Sequence, residues 1–233
     1  QTWKIREIVM DIMEATAGNR VIISVNVIGG VRRDLDPDQQ KWILEKLELV
    51  QEGLDRIRTS FLNEYTVKQR TKGIGVMTNE QALELGAVGP TARGSGRAED
   101  IRMTGYSAYK HLDFTPVVEQ DGDCYSRMKV RLGEAFQCID LVRQGIAKIP
   151  EGEINAKVKG KPEGEVIQRV EQPRGELLYY VRASGGKHLD RLRIRTPTFS
   201  NIAPLLSMLP GVDLANVPVI VLSIDPCISC TER

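Results

Sequence analysis

The chain has 233 residues, with 32 Lys and Arg against 31 Asp and Glu, for a formal net charge of +1. That length can bury a real core in one large domain or two small ones, and the near-neutral balance argues against electrostatic capture of nucleic acid or of an anionic membrane surface. No apolar run is long enough to span a bilayer, Gln1–Ala17 carries charges where a signal peptide is apolar, and four cysteines in a chain of this size do not make a disulfide framework, which points to a reducing compartment.

The sequence opens without a methionine and reads as a fragment or a processed product. In Thr2–Ala17, Trp3, Ile5, Ile8, Val9, Ile12 and Met13 recur at helical spacing. Val21–Ile28 is β-branched and apolar, the composition of a strand. Gly29-Gly30 ends it, and Val31-Arg-Arg-Asp34 reads as a solvated turn, or alternatively as a basic loop that meets a partner. Asp36-Pro37 supplies an N-cap and a first-turn proline for a helix to about Leu62, with Trp42, Leu44, Leu47, Leu49, Val50, Leu54 and Ile57 as its apolar face. Val67–Thr78 is a loop or short helix, and Asn79–Leu85 a short capped helix.

Gly89-Pro-Thr-Ala-Arg-Gly-Ser-Gly96 has three glycines but matches neither the P-loop nor the dinucleotide fingerprint. It reads as a close-packed loop with Arg93 pointing inward. His111, among Tyr106 and Tyr109, reads as a structural histidine. Phe114–Gln120 is extended, and Gly122-Asp123 opens a long helix over Cys124–Gln144. Cys124 and Cys138 lie on a similar face of that helix, about four turns apart, too far to bridge each other, and read as buried thiols. Gly145–Gly164 is a surface excursion. Glu165–Glu171, Gly175–Ala183 and Leu189–Arg195 read as three short strands, with Pro173-Arg-Gly175 at the first bend and Ser184-Gly-Gly186 at the second. Asn201–Leu209 is a short helix and Val217–Ile224 a core strand. The fold class expected is α+β, mainly helical over 1–145, with a small antiparallel sheet in the C-terminal third. Residues 1–233 are expected to form a single domain, in which 165–233 carries the sheet and the terminal motif.

That motif is Asp225-Pro-Cys-Ile-Ser-Cys-Thr-Glu-Arg233, a C-x-x-C directly after the expected strand. Its thiolates can converge on one metal ion or pair with each other. A redox dithiol normally sits at a helix N-terminus, and no helix is expected after Cys230, which counts against that reading. A structural zinc site needs two further ligands. Arg174 in its turn, Asp225 before the pair and the Thr198 hydroxyl would give two thiolates a polar lining suited to a metal centre.

Taken in order, Gly29-Gly-Val-Arg-Arg-Asp34, Arg93-Gly-Ser-Gly96, Gly122-Asp-Cys-Tyr-Ser-Arg127, Pro173-Arg-Gly175 and the terminal Asp-Pro-Cys-x-x-Cys resemble the large, catalytic subunit of [NiFe] hydrogenases. The likeness is to the membrane-bound energy-converting group, itself similar to the quinone-site subunit of respiratory complex I. The resemblance implies reversible H₂ oxidation and proton reduction at a nickel–iron centre carrying CO and cyanide ligands. Cys227 would be a terminal nickel ligand and first proton acceptor, and Cys230 a thiolate bridging nickel and iron. Arg174 would stand over the open metal position, oriented by Asp225. Pro173 and Thr198 would line the diatomic ligands. Arg233 would match the residue after which the family's precursor is clipped.

The centre needs four thiolates, and the family's other C-x-x-C is absent here, so the active site in this chain alone is incomplete. The remaining pair would come from an N-terminal half of the subunit or from a separate chain. The implied partners are a small subunit with a [4Fe-4S] cluster and membrane subunits that couple the reaction to ion movement, with no nucleic acid. The implied place is peripheral, on the cytoplasmic side of the cell membrane. The alternative is a metal-free, complex I-like quinone-site or scaffold subunit.

Overall fold

In the computed structural model, which describes residues 2–232, the chain opens with α1 (Thr2–Ala17), as the sequence pattern predicts. A hairpin follows, β1 (Asn26–Val27) against β2 (Gly30–Val31), and then α2 (Pro37–Asn63). Asp36 caps α2 by accepting from the Gln39 amide at 2.8 Å, while the Gln39 side chain accepts from the Asp36 amide at 3.3 Å, a reciprocal capping box. Ile43, Leu47 and Val50 of α2 are buried with Ile139, and Ile5, Ile8 and Ile12 of α1 pack against them. α1 and α2 approach closely at Gly53, where an added Cβ would lie 2.5 Å from Ile5. The strand expected over Val21–Ile28 shrinks to the two residues of β1. Ile22 is 80% exposed, and strand-forming composition alone does not hold a segment in a ladder.

Three short helices come next: α3 (Tyr65–Thr71), α4 (Asn79–Glu84) and α5 (Gly89–Arg93). Thr78 and Gln81 form the capping box of α4. The Gly89–Gly96 stretch is close-packed with Arg93 inside, but it begins as the helical turn α5 and is not an open loop, and every residue of α5 is buried. Two 3-10 turns, Ile101–Thr104 and Ser107–His111, lead on. α6 then runs Cys124–Ala147, capped by Asp123, which accepts from the Ser126 amide at 2.7 Å. Cys124 is buried as expected. Cys138 is exposed, because four turns do not bring the helix back to the same face and the apolar stripe has moved past it.

The C-terminal part is a three-stranded antiparallel sheet, β3 (Glu163–Gln172), β4 (Gly175–Ser184) and β5 (Arg191–Arg195), in sequence order. After it come α7 (Pro197–Ser200), α8 (Ile202–Met208), α9 (Val217–Ser223) and α10 (Ile228–Thr231). The architecture is the α+β one expected. The Val217–Ile224 stretch is a helix, not a strand. Ile220 and Ile224 are buried and Leu222 is 71% exposed, a helical arrangement, and Pro218 sits in the first turn of α9 where it is tolerated.

The chain divides into two compact units: residues up to Phe61 with Phe136–Gly160, and Leu62–Ala135 with the residues from Lys161 on. α6 contributes its first half to the second unit and its second half to the first. The second unit has its own core of Met77, Ala82, Cys124, Leu205, Met208, Ile220 and Ile224. It also holds every residue singled out at the terminal motif. Among the described residues no helix is long and apolar enough to cross a membrane.

Candidate metal and substrate site

Pro173 and Arg174 are the two turn residues of the β3–β4 hairpin, closed by the pair Gln172↔Gly175. The turn is seated by glycines. Gly89 at φ +64° and Gly175 at φ +128° meet backbone to backbone, and a Cβ on Gly89 would lie 2.3 Å from the Arg174 carbonyl oxygen. Asn201, fully buried, fixes the residue before Gly89. It accepts from the Val88 amide at 3.0 Å and donates to the Val88 carbonyl at 3.2 Å. Thus the glycine-rich stretch that resembles no nucleotide loop acts mechanically, holding the hairpin turn that carries Arg174.

Arg174 reaches the terminal motif. Its Nε donates to the Asp225 carbonyl oxygen at 2.7 Å and lies 3.2 Å from the Asp225 carboxylate. Its two Nη groups make no hydrogen bond to a described residue. Asp225 is held at φ +54°, a left-handed conformation that costs a non-glycine residue about 1–2 kcal/mol. The Asp225 amide bond to Leu222 O at 3.0 Å and the Arg174 contact hold it there.

Cys227 follows as the N-cap residue of α10. Its amide donates to Thr198 Oγ1 at 3.3 Å, which leaves the buried Thr198 hydroxyl able to donate elsewhere. Thr196 Oγ1 donates to the Cys230 carbonyl, so α7 and its N-cap grip both cysteines by their backbones. The structure therefore brings together Arg174, Asp225, Thr198, Cys227 and Cys230. Pro173 is beside Arg174 in the turn. Neither thiol is in a disulfide and both are half-buried, so the lining is open on one side. One ground for setting the redox reading aside does not hold: the C-x-x-C itself forms a helical turn, with Cys227 at its N-cap and Cys230 inside it.

Cys227 Sγ lies 3.3 Å from Ser229 Oγ. The Ser229 hydroxyl, then Cys230, with a smaller push from the Arg174 charge, lowers the Cys227 thiol to about 7. Such a thiol readily loses its proton, and the thiolate is the form that binds a metal or attacks an electrophile. Two soft sulfur donors suit nickel or iron. Among the described residues no group of three or more His, Cys, Asp or Glu side chains is placed to hold a metal ion, and the pair by itself offers two sulfur donors. The expectation about Arg233 lies outside the described residues.

Several supporting residues escape a sequence reading. Arg127 of α6 is fully buried. It donates to Ser223 Oγ on α9 at 2.9 Å, to the Gly122 and Gly75 carbonyls at 2.8 Å each, and to Cys124 Sγ at 3.3 Å. Burial lowers its pKa, and the carbonyl oxygens are what hold the cation. It fixes α9, and so the approach to the C-x-x-C. One turn on, Arg131 has Nε and Nη2 buried with no partner among the described residues. The signal for both lies in the sequence: two arginines at i and i+4 fall on the face of α6 that carries Cys124. Arg93 is buried among Asp100, Glu134 and Glu171. Its inward direction is legible in the sequence, but its three carboxylate partners are not.

A family profile described as "Respiratory-chain NADH dehydrogenase, 49 Kd subunit" matches residues 1–161 and 156–233. The chain is 42% identical over 250 residues to the membrane-bound hydrogenase subunit alpha of Pyrococcus furiosus, covering 100% of this chain and 58% of that protein. It is 41% identical over 231 residues to the carbon monoxide-induced hydrogenase of Rhodospirillum rubrum, covering 98% and 64%. It is 36% identical over 240 residues to an NADH-quinone oxidoreductase subunit of Herpetosiphon aurantiacus, again covering 98% and 64%. The chain thus spans about three fifths of the length of these relatives.

Proposed function

The chain belongs to the family of the respiratory-chain NADH dehydrogenase 49 Kd subunit, and from that premise we propose that it is part of the catalytic large subunit of an energy-converting [NiFe] hydrogenase. The observation that carries the reading is the terminal thiol pair under a clamped arginine: Cys227 and Cys230 gripped from α7, with Arg174 tied to Asp225 beside them. Relatives with hydrogenase names at 41–42% identity support it.

In this reading Cys227 and Cys230 would be two of the thiolate ligands of a nickel–iron centre with CO and cyanide ligands, which would supply the splitting of H₂ into a proton and a hydride equivalent. The other two thiolates would come from the rest of the subunit or from a separate chain. The residues of this chain then divide the remaining work. Before a ligand arrives, Asp225 occupies the Nε of Arg174 and leaves both Nη groups open towards the thiols. A fixed cation there would stabilise a charge that develops at the thiols. The lowered pKa of Cys227 keeps its thiolate available at neutral pH, and Cys227 would hold the proton at Sγ. Thr198 accepts from the Cys227 amide and turns its hydroxyl to a ligand of the centre. Electrons would leave through a small subunit bearing a [4Fe-4S] cluster. Membrane subunits would couple the reaction to ion movement, with the chain peripheral on the cytoplasmic side of the membrane.

A second reading, a metal-free subunit of a quinone-reducing complex, is favoured by relatives such as the Herpetosiphon protein. The two readings part on nickel. Protein produced with its partner subunits and maturation enzymes is expected to contain stoichiometric nickel and to reduce a viologen dye with H₂. Serine at Cys227 or Cys230 is expected to abolish both. A purified native complex with no nickel would overturn the hydrogenase reading and leave the quinone-site one.

A further inference from the structure

Arg131 is a group near the site whose chemistry the proposed function leaves unused. Its Nη1 donates to the Arg127 carbonyl one turn back, at 3.2 Å. Its Nε and Nη2 are buried and carry no hydrogen bond to a described residue. These two N–H groups point the same way and form the side-on edge of the guanidinium, which matches the two oxygens of a carboxylate. An empty buried edge of this kind is costly, because the donors have lost water and gained nothing in return.

Two carboxylates act on this cation. Burial weakens its hold on its proton, to a pKa of about 10, and the strongest opposing influence is the charge of Asp225, ahead of Glu134. Glu134 is already engaged, accepting from Arg93 Nε at 2.7 Å. Asp225 is held loosely. Among the described residues its carboxylate has only the 3.2 Å contact with Arg174, whose Nε bonds more closely to the Asp225 carbonyl oxygen, and its side chain is 47% exposed. Arg127, one turn before Arg131 on α6, donates to Ser223, two residues before Asp225, and Arg131 Nη1 folds back onto the Arg127 carbonyl. A half-exposed carboxylate with one weak bond thus sits at the end of α9 beside the helix turn that carries a buried arginine edge with none.

We infer that Asp225 has two holders, Arg174 and Arg131, and that it passes to the empty Nε/Nη2 edge of Arg131 when Arg174 turns to a ligand at the Cys227–Cys230 pair. Arg131 is then a positioning residue. It frees Arg174 without leaving Asp225 unpaired, and it keeps the carboxylate from swinging over the thiols, where its charge would oppose an anionic ligand. The occasion of the exchange rests on the role proposed for Arg174. The exchange itself concerns only two arginines and one carboxylate.

The direct test removes the first holder. In the assembled complex carrying Arg174→Met, a structure at side-chain resolution is expected to show the Asp225 carboxylate on Arg131 Nε and Nη2. Should that variant fail to assemble, Arg174→Leu, which likewise has no donor for Asp225, gives the same readout. Asp225 turned to solvent, or Arg131 paired with Glu134 instead, would overturn the inference. The second test removes the second holder. Arg131→Met is expected to leave nickel content and assembly unchanged and to lower kcat for H₂ about tenfold or more, with little change in KM. Arg131→Lys should not restore it, because an ammonium has no paired edge. The melting temperature of Arg131→Met should hold or rise, since an unpaired buried cation has been replaced by a packed side chain. A fall in melting temperature with a proportionate loss of activity would mark Arg131 as merely structural, and wild-type kcat would exclude the exchange. A native complex without nickel would remove the hydrogenase reading and still leave the Arg174→Met structure to decide where Asp225 goes.

Discussion

At the scale of single residues, the candidate site turns on how few of Arg174's donors are engaged. One N–H goes to Asp225 and the planar fork remains open. Lysine at this position keeps the charge but has neither the fork nor an Nε to hold Asp225. Arg174→Lys in the complete complex is therefore expected to lose about 10²-fold in H₂ turnover, the usual scale for one catalytic donor, with nickel content intact; wild-type turnover would remove Arg174 from the mechanism. A second residue-scale prediction concerns Cys227 in chain produced without nickel. Because its thiol is lowered to about 7 by Ser229 first and Cys230 second, alkylation of Cys227 by iodoacetamide should rise through neutral pH. The thiolate is the reacting form, so the rate climbs with pH towards the midpoint and levels off above it. Ser229→Ala should move the midpoint up, and an unchanged profile would show that the hydroxyl does not stabilise the thiolate. Arg174, Asp225 and the cysteines are legible in the sequence because each sits in a turn or beside the terminus, where a chemically active residue has no packing excuse. Arg127 and Arg131 are much harder to find, since charged residues on a long helix are ordinarily solvated, and only the packed face of α6 tells them apart.

At the scale of elements, the site depends on two backbone surfaces with no side chain between them. Gly89 must take φ +64° with its α-hydrogen against the Arg174 carbonyl, so Gly89→Ala adds left-handed strain to a clash with backbone that has no rotamer to escape into. The cost is expected to be about 2–5 kcal/mol, combining about 1–2 for the conformation and about 1–3 for overpacking. Gly73→Ala makes a fair control, with φ +67° but nothing within 4 Å, and should cost only the conformational part. Equal losses in urea denaturation would show that the close approach to the hairpin is unimportant. The elements also show where sequence patterns mislead. α2 and α6 are readable because each has a cap and a sustained 3.6-residue repeat, and β3–β5 because turn residues punctuate them. α9 is mistaken for a strand because of its run of β-branched residues, although Pro218 within that run already argues against a central strand. The difference matters for chemistry, since a helix ending at Ser223 lets Arg127 reach its last turn and aims Asp225 at Arg174.

At the scale of the whole molecule, a net charge of +1 conceals where the charges lie. Within the second unit Arg93 and Asp100 have fully buried side chains, Glu171 is nearly so, and Arg102 completes the cluster against Asp100. These residues come from α5, the first 3-10 turn and the end of β3, with Glu134 added from α6, so one guanidinium joins segments far apart in sequence. Glu171 is two residues before Pro173, which makes the cluster the foundation of the hairpin turn as well. Replacing both partners of such a pair can be neutral, but removing one leaves buried charge uncompensated. Arg93→Met is therefore expected to cost about 3–5 kcal/mol, and the cost should depend on pH in a defined sense. Burial raises the Glu171 carboxyl pKa, with the Arg93 charge opposing. A raised carboxyl contributes stability that is fully present below the ordinary carboxylate range and is lost as pH rises through its folded pKa. Taking away Arg93 removes the opposing charge, raises the folded pKa further and widens that window. Urea denaturation of wild type and Arg93→Met from about pH 4 to about pH 8 should show the gap between them growing as pH rises. A gap that stays flat or narrows would mean that the Arg93 charge does not hold Glu171 ionised, and that the cluster's protonation has no bearing on how firmly the turn bearing Arg174 is held.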